Sequence, residues 1–149
     1  MNLNLSNEEL RDLIIMTYIA EWVMDSYKIG DDPRTTRFKE VEQKLLKLAM
    51  EAGLNDLVMY DEQLKTYFPT RFMEEGTARE FIDEYDNETF WDELANRLAV
   101  RDFVKRYGSP EAACHLPLER RLTELGEIEA KYIDEFVAHD LERVRIGRR

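Results

Sequence analysis

From Ser6 to Met24 the chain reads SNEELRDLIIMTYIAEWVM, and this stretch decides the fold class. Ser6 with Glu9 three residues on is a capping box: the hydroxyl serves an orphan backbone N–H while the glutamate reaches back to the cap. Placed about 100° apart around a helix axis, Leu13, Ile14, Ile15, Met16, Tyr18, Ile19, Trp22, Val23 and Met24 surround nearly the whole circumference. A helix that is apolar all round belongs among other helices. The expectation is a largely buried first helix running to about Lys28 and stopping near Gly30.

The rest of the chain extends this pattern. After Asp31-Asp32-Pro33, the residues Phe38, Val41, Leu45, Leu48 and Ala49 recur at threes and fours, predicting an amphipathic helix that ends before Gly53. Lys39, Lys44 and Lys47 alternate with Glu40 and Glu42 on a salt-laced outer face. The pattern is weakest from Leu54 to Gly76. There a short helix over Asp61–Phe68, closed by Pro69, is expected, with Tyr60, Tyr67, Phe68, Phe72 and Met73 plugging one end of the bundle or lining a cleft. Thr77 with Glu80 forms a second capping box for a short helix to Tyr85, broken by Asp86-Asn87, and Asn87 then caps a helix from Glu88 to Tyr107 before Gly108. Ser109-Pro110 opens a further short helix. The last helix is expected from Pro117 to about Val144, with a seam of Leu118, Leu122, Leu125, Glu129, Tyr132 and Phe136 spaced as in left-handed bundle packing.

The fold class is therefore all-α: a single-domain bundle of about five or six helices over residues 1–149, with a largely buried first helix, a long C-terminal helix and a frayed basic tail at 142–149. Composition agrees. The 149 residues suffice for one core without staples. With 6 glycines and 4 prolines there is too little turn chemistry for a β-sandwich.

Charge narrows the classes of function. With 21 basic against 32 acidic residues, a net −11, the chain repels polyanions, so neither nucleic acid nor an anionic membrane surface is an expected partner. Between Glu74 and Glu93 nine acids face one base, Arg79, whereas Arg143, Arg145, Arg148 and Arg149 crowd the C-terminus. This points either to a solvated acidic face beside a loose tail, or to a tail that meets that face within the chain or between two copies. The single cysteine, Cys114, leaves no intramolecular disulfide framework. The opening Met-Asn-Leu-Asn-Leu-Ser lacks a signal-peptide pattern, and no apolar run reaches the ~20 residues of a membrane span, so a cytoplasmic location is expected.

Specific chemical motifs are missing: no phosphate-binding glycine loop, no paired-cysteine spacing, no His-Glu-x-x-His and no Gly-x-Ser-x-Gly. What remains is carboxylates in apolar surroundings. Glu129 interrupts the seam of the last helix, Asp102 shares a face with Trp91, Ala95 and Leu98, and Glu21 lies beside Leu10, Ile14 and Thr17. A buried carboxylate must be paired, hydrogen-bonded, protonated or metal-bound. Three accounts stay open: structural pairing with Arg97, Arg101 or a tyrosine hydroxyl, a catalytic or metal-binding cluster, and carboxylates simply reached by solvent. Glu111 with His115, and Glu135 with His139, each place two metal-ligand types on one helix face at i and i+4, a spacing that misses the Glu-x-x-His of di-iron bundles. No cofactor is expected. The reading these residues favour is a non-enzymatic interaction or regulatory domain, binding a protein partner or itself as a homodimer. The alternative is a metal- or carboxylate-dependent helical enzyme with its site between helices.

Overall fold

A computed structural model describes residues 3–145 and residue 147. It is mostly helical: α1 spans Asn7–Asp25, α2 Thr36–Glu51, α3 Arg71–Glu74, α4 Thr77–Tyr107, α5 Pro110–Cys114 and α6 Leu118–His139. Between α2 and α3 lies a two-stranded antiparallel hairpin, β1 Val58–Asp61 and β2 Thr66–Pro69. Contacts divide the chain into two compact units, Met1–Glu84 and Tyr85–Arg149. No helix among the described residues is long and apolar enough to cross a membrane.

In the first unit, α1 opens on the expected capping box: the Glu9 amide donates to the Ser6 hydroxyl at 3.2 Å and the Ser6 amide donates to the Glu9 carboxylate at 2.8 Å. The helix is not buried all round, however. Ile14 is 1% exposed, but Met16 is 65% exposed and Val23 is also open. The helix stops at Asp25, short of Lys28, and the Asp25 carboxylate pairs there with Lys39 Nζ at 2.5 Å and Lys28 Nζ at 3.3 Å. Those ion pairs tie the end of α1 to the start of α2. α2 then buries Leu46 and Ala49 while Phe38, Val41 and Leu48 remain exposed, and it ends before Gly53, whose φ of 84° a glycine adopts without a Cβ clash.

The helix expected over Asp61–Phe68 is instead the hairpin. The pairs Val58↔Pro69 and Tyr60↔Tyr67 turn inward, whereas Met59↔Phe68 turns outward. Cross-strand neighbours thus share a face, and the Tyr60 and Tyr67 rings meet with centroids 4.7 Å apart. The loop is set by Asp61, whose Oδ1 accepts from the Gln63 and Leu64 amides at 2.8 and 2.9 Å, with Lys65 left-handed at φ 52°. Gln43 of α2 fastens the open edge of β2: its Nε2 donates to the Tyr67 carbonyl at 2.9 Å and its Oε1 accepts from the Tyr67 amide at 3.0 Å. The core joins Ile14, Leu46, Ala49, Leu54, Leu57, Val58 and Met73, with Leu10, Tyr18, Leu45 and Tyr67 packed against them.

α4 is one helix of 31 residues, not two, and passes unbroken through Asp86 and Asn87. Asp and Asn cost only about 0.7 kcal/mol each in a helix interior, and the Asn87 amide donates to the Glu88 carboxylate instead of capping a new turn. Its start is also not the expected box on Thr77. The Gly76 carbonyl accepts from the Arg79 and Glu80 amides.

In the second unit, Ser109 caps α5 as expected, accepting from the Ala112 amide at 3.1 Å. α6 begins after Pro117 and ends at His139, where Asp140 takes φ 51°, earlier than the expected Val144. The expected seam holds in its second half, where Leu125 and Tyr132 pack on the core and Phe136 is buried together with Ile128, but its first two members, Leu118 and Leu122, are exposed. Ala99, Phe103, Ala113 and Ile128 form the core, with Val104, Tyr107, Leu116, Leu125 and Tyr132 against it, and Trp91 meets Phe136 with ring centroids 5.4 Å apart. Of the basic tail, Arg143 pairs with Glu135 and Arg145 donates to the Glu142 and Val144 carbonyls. Arg148 and Arg149 lie outside the described residues.

Candidate functional site

The feature best suited to a ligand is a groove between α1 and α2 in the first unit. It encloses about 310 Å³, at the lower end of the ~300–1,000 Å³ of small-molecule sites. Leu13, Met16, Ala20 and Met24 form the α1 wall; Phe38 and Val41 form the α2 wall. The apolar walls open to solvent, with Phe38 50% and Val41 53% exposed. They are the surplus of two apolar stripes, of which the core fully buries Ile14 from α1 and Leu46 and Ala49 from α2 and half-covers Leu10, Tyr18 and Leu45.

Charge is concentrated in the floor, where Glu21, Asp25, Lys39 and Glu42 line the same cavity. Lys39 is the one base there, and it is committed to Asp25 at 2.5 Å. This hydrogen bond holds the Asp25 carboxyl below its ordinary range. Among the described residues Glu21 and Glu42 have no such ion pair. Burial raises the Glu21 carboxyl, and the neighbouring Asp25 charge adds to that. Glu42 goes further: burial first, and then the charge of Glu21, push it up to about 7, with Lys39 opposing. Glu21, Lys39 and Glu42 also line a second cleft of about 550 Å³, toward Tyr67 and Phe68 of the hairpin, so the carboxylates stand as a partition between the two. Of the two, Glu42 is the one set to hold or release a proton near neutrality.

The other carboxylates singled out in the sequence are placed differently. Asp102 accepts from Arg101 at 2.8 Å and from the Tyr132 hydroxyl, and both lower its carboxyl. Glu129 is half-buried and accepts a long 3.4 Å bond from the Asn96 amide. Glu111 stands at the start of α5, lowered by its own backbone amide and by Ser109, while His115 is the exposed C-cap of the same helix. Glu135 pairs with Arg143 at 3.1 Å, and His139 ends α6. Among the described residues no group of three or more His, Cys, Asp and Glu side chains is arranged to hold a metal ion.

Two carboxylates were missed in the sequence. Glu42 was assigned to an outer salt-laced face, yet it precedes Leu46 and Ala49 at i+4 and i+7, the spacing of the stripe that is buried. Glu124 gathers the Tyr107 hydroxyl at 2.5 Å, Arg120 at 2.7 Å and Arg106 at 3.1 Å, which bring its carboxyl down to about 2. That cluster fastens α6 to the end of α4. No family model, curated protein or solved structure matches the chain.

Proposed function

We propose that the chain is a non-enzymatic protein-interaction domain whose α1–α2 groove receives the apolar face of a helical segment from a partner protein. The observation that carries it is the pair of open apolar walls, exposed Met16 with half-buried Met24 on one side and exposed Phe38 and Val41 on the other, around a preformed cavity. Methionine adapts its shape to irregular apolar surfaces, and helix-in-groove recognition uses apolar anchors at this spacing. A cavity of this size takes one or two anchor side chains, with the exposed rims covering the flanks.

The test is a short uncharged model helix of leucine and glutamine, with norleucine at the centre of its apolar face. It is titrated into protein carrying ¹³C-methyl methionine. Saturable shifts at the Met16 and Met24 methyls that vanish in Val41→Asp are expected, since Val41 is exposed and the variant keeps its core. Unmoved methyls refute the reading. Light scattering in the same titration separates a partner site from self-association, because a homodimer in the groove would be present before any helix is added. A second reading, a carboxylate-dependent enzyme, is favoured by the Glu21–Glu42 pair in a cavity; among the described residues no group of three or more His, Cys, Asp and Glu side chains is arranged there to hold a metal ion.

A further inference from the structure

Building on the groove as a docking site, we infer that its occupant carries a lysine or arginine whose cation seats between Glu21 and Glu42. The floor holds three carboxylates, Glu21, Asp25 and Glu42, and the one lysine in it is spent on Asp25. The groups around Glu42 supply little compensating charge. The clefts that Glu42 lines are shared with Tyr18, Glu21 and the paired Asp25 of α1, Lys39 of α2 and Tyr67 of β2. Glu74 of α3 adds another negative charge, and Arg79 of α4 lies over the Trp22 ring at 4.9 Å. A cation is what the cavity lacks. The apolar approach suits a residue with a hydrocarbon stem and a charged tip: the lysine stem lies along Leu13, Met16, Ala20 and Met24 while the ammonium reaches the carboxylates. A neutral or acidic anchor leaves two facing carboxylates in the groove, one of which must keep a proton.

Binding is therefore linked to proton release. In the free protein Glu42 titrates at about 7. A bound cation favours its ionised form, so the bound complex gives up the proton that the free protein holds. At about pH 6 roughly one tenth of free Glu42 is ionised, so affinity for a cationic anchor falls about tenfold between about pH 8 and about pH 6. An uncharged anchor shows no such loss, because it prefers Glu42 protonated.

The experiment compares the norleucine helix with the same helix carrying lysine at the central position, by calorimetric titration at both pH values and in buffers of different ionisation enthalpy. At about pH 8 the lysine helix is expected to bind about tenfold tighter than norleucine. Its binding should release protons near neutral pH and weaken about tenfold at the lower pH. Glu42→Gln should abolish the proton release and the pH dependence of lysine binding, and Glu21→Gln should cut lysine binding in the same direction. If the two helices bind equally, or if the pH dependence persists in Glu42→Gln, the cation site is overturned and the groove stands. If neither helix binds, the docking reading itself falls.

Discussion

Glu42→Gln should make the protein more stable, not less. Glutamine keeps the shape of the side chain and removes the charge that burial and Glu21 disfavour. The carboxyl stands at about 7 in the fold against an ordinary glutamate value of 4.5. At about 1.4 kcal/mol for each tenfold change in proton affinity, the ceiling on the effect is about 3.4 kcal/mol. Glu42 keeps part of its surface in water, and screening there reduces the gain to roughly 1–2 kcal/mol. For a chain of this length that raises the melting temperature by about 2–8 °C. The sign follows from proton linkage. The folded state holds the Glu42 proton more tightly than the unfolded chain, so the wild type loses stability as pH rises from 4.5 through about 7, and the variant does not. The difference in melting temperature should be largest near pH 8 and shrink steadily toward pH 4.5. Taking variant minus wild type at each pH cancels the titration of the remaining carboxylates. A variant that melts at or below the wild type near pH 8, or a difference independent of pH, would refute the reasoning and return Glu42 to the solvated face.

Two further outcomes follow from the same structure. Glu124→Gln should lower the melting temperature at neutral pH, because Tyr107, Arg106 and Arg120 converge on that carboxylate. Glu124 is held down to about 2, so its contribution is complete above about 4.5 and disappears as pH falls through 2. The acid sensitivity of melting over that window should be blunted in the variant. Ile14→Ala should cost about 2–5 kcal/mol in chemical denaturation, whereas Met16→Ala, on the open side of α1, should change stability by no more than about 0.5 kcal/mol; equal costs would mean that α1 is buried all round after all.

Much of the helical framework is legible in the sequence, because it is dictated locally. Ser6 and Glu9 cap α1, Ser109 and Pro110 open α5, and Gly53 and Gly108 stand at φ 84° and 83° where α2 and α4 end. The site is not local, and one misreading propagates into it. Val58–Asp61 and Thr66–Pro69 do not alternate apolar with polar, since the outward pair Met59 and Phe68 is as apolar as the inward pair Tyr60 and Tyr67. Period two is invisible in such a hairpin. The hairpin packs on α2 and thereby fixes which side of that helix faces inward. Without it, α2 offers two overlapping stripes, Phe38-Val41-Leu45-Leu48-Ala49 and Glu42-Leu46-Ala49, and hydrophobicity alone selects the first because its members are all apolar, although only Leu45 and Ala49 of it reach the core. Choosing the first stripe buries Phe38 and Val41 and sends Glu42 to solvent. Adding the hairpin buries Leu46 and Ala49, turns Phe38 and Val41 outward as a groove wall, and brings Glu42 into the partition with Glu21. The same surplus explains α1: its belt is apolar all round because one side meets the core through Ile14 and the other lines the groove through Met16 and Met24. An apolar belt that exceeds what the core consumes is thus the trace in the sequence of a surface left for something else to cover.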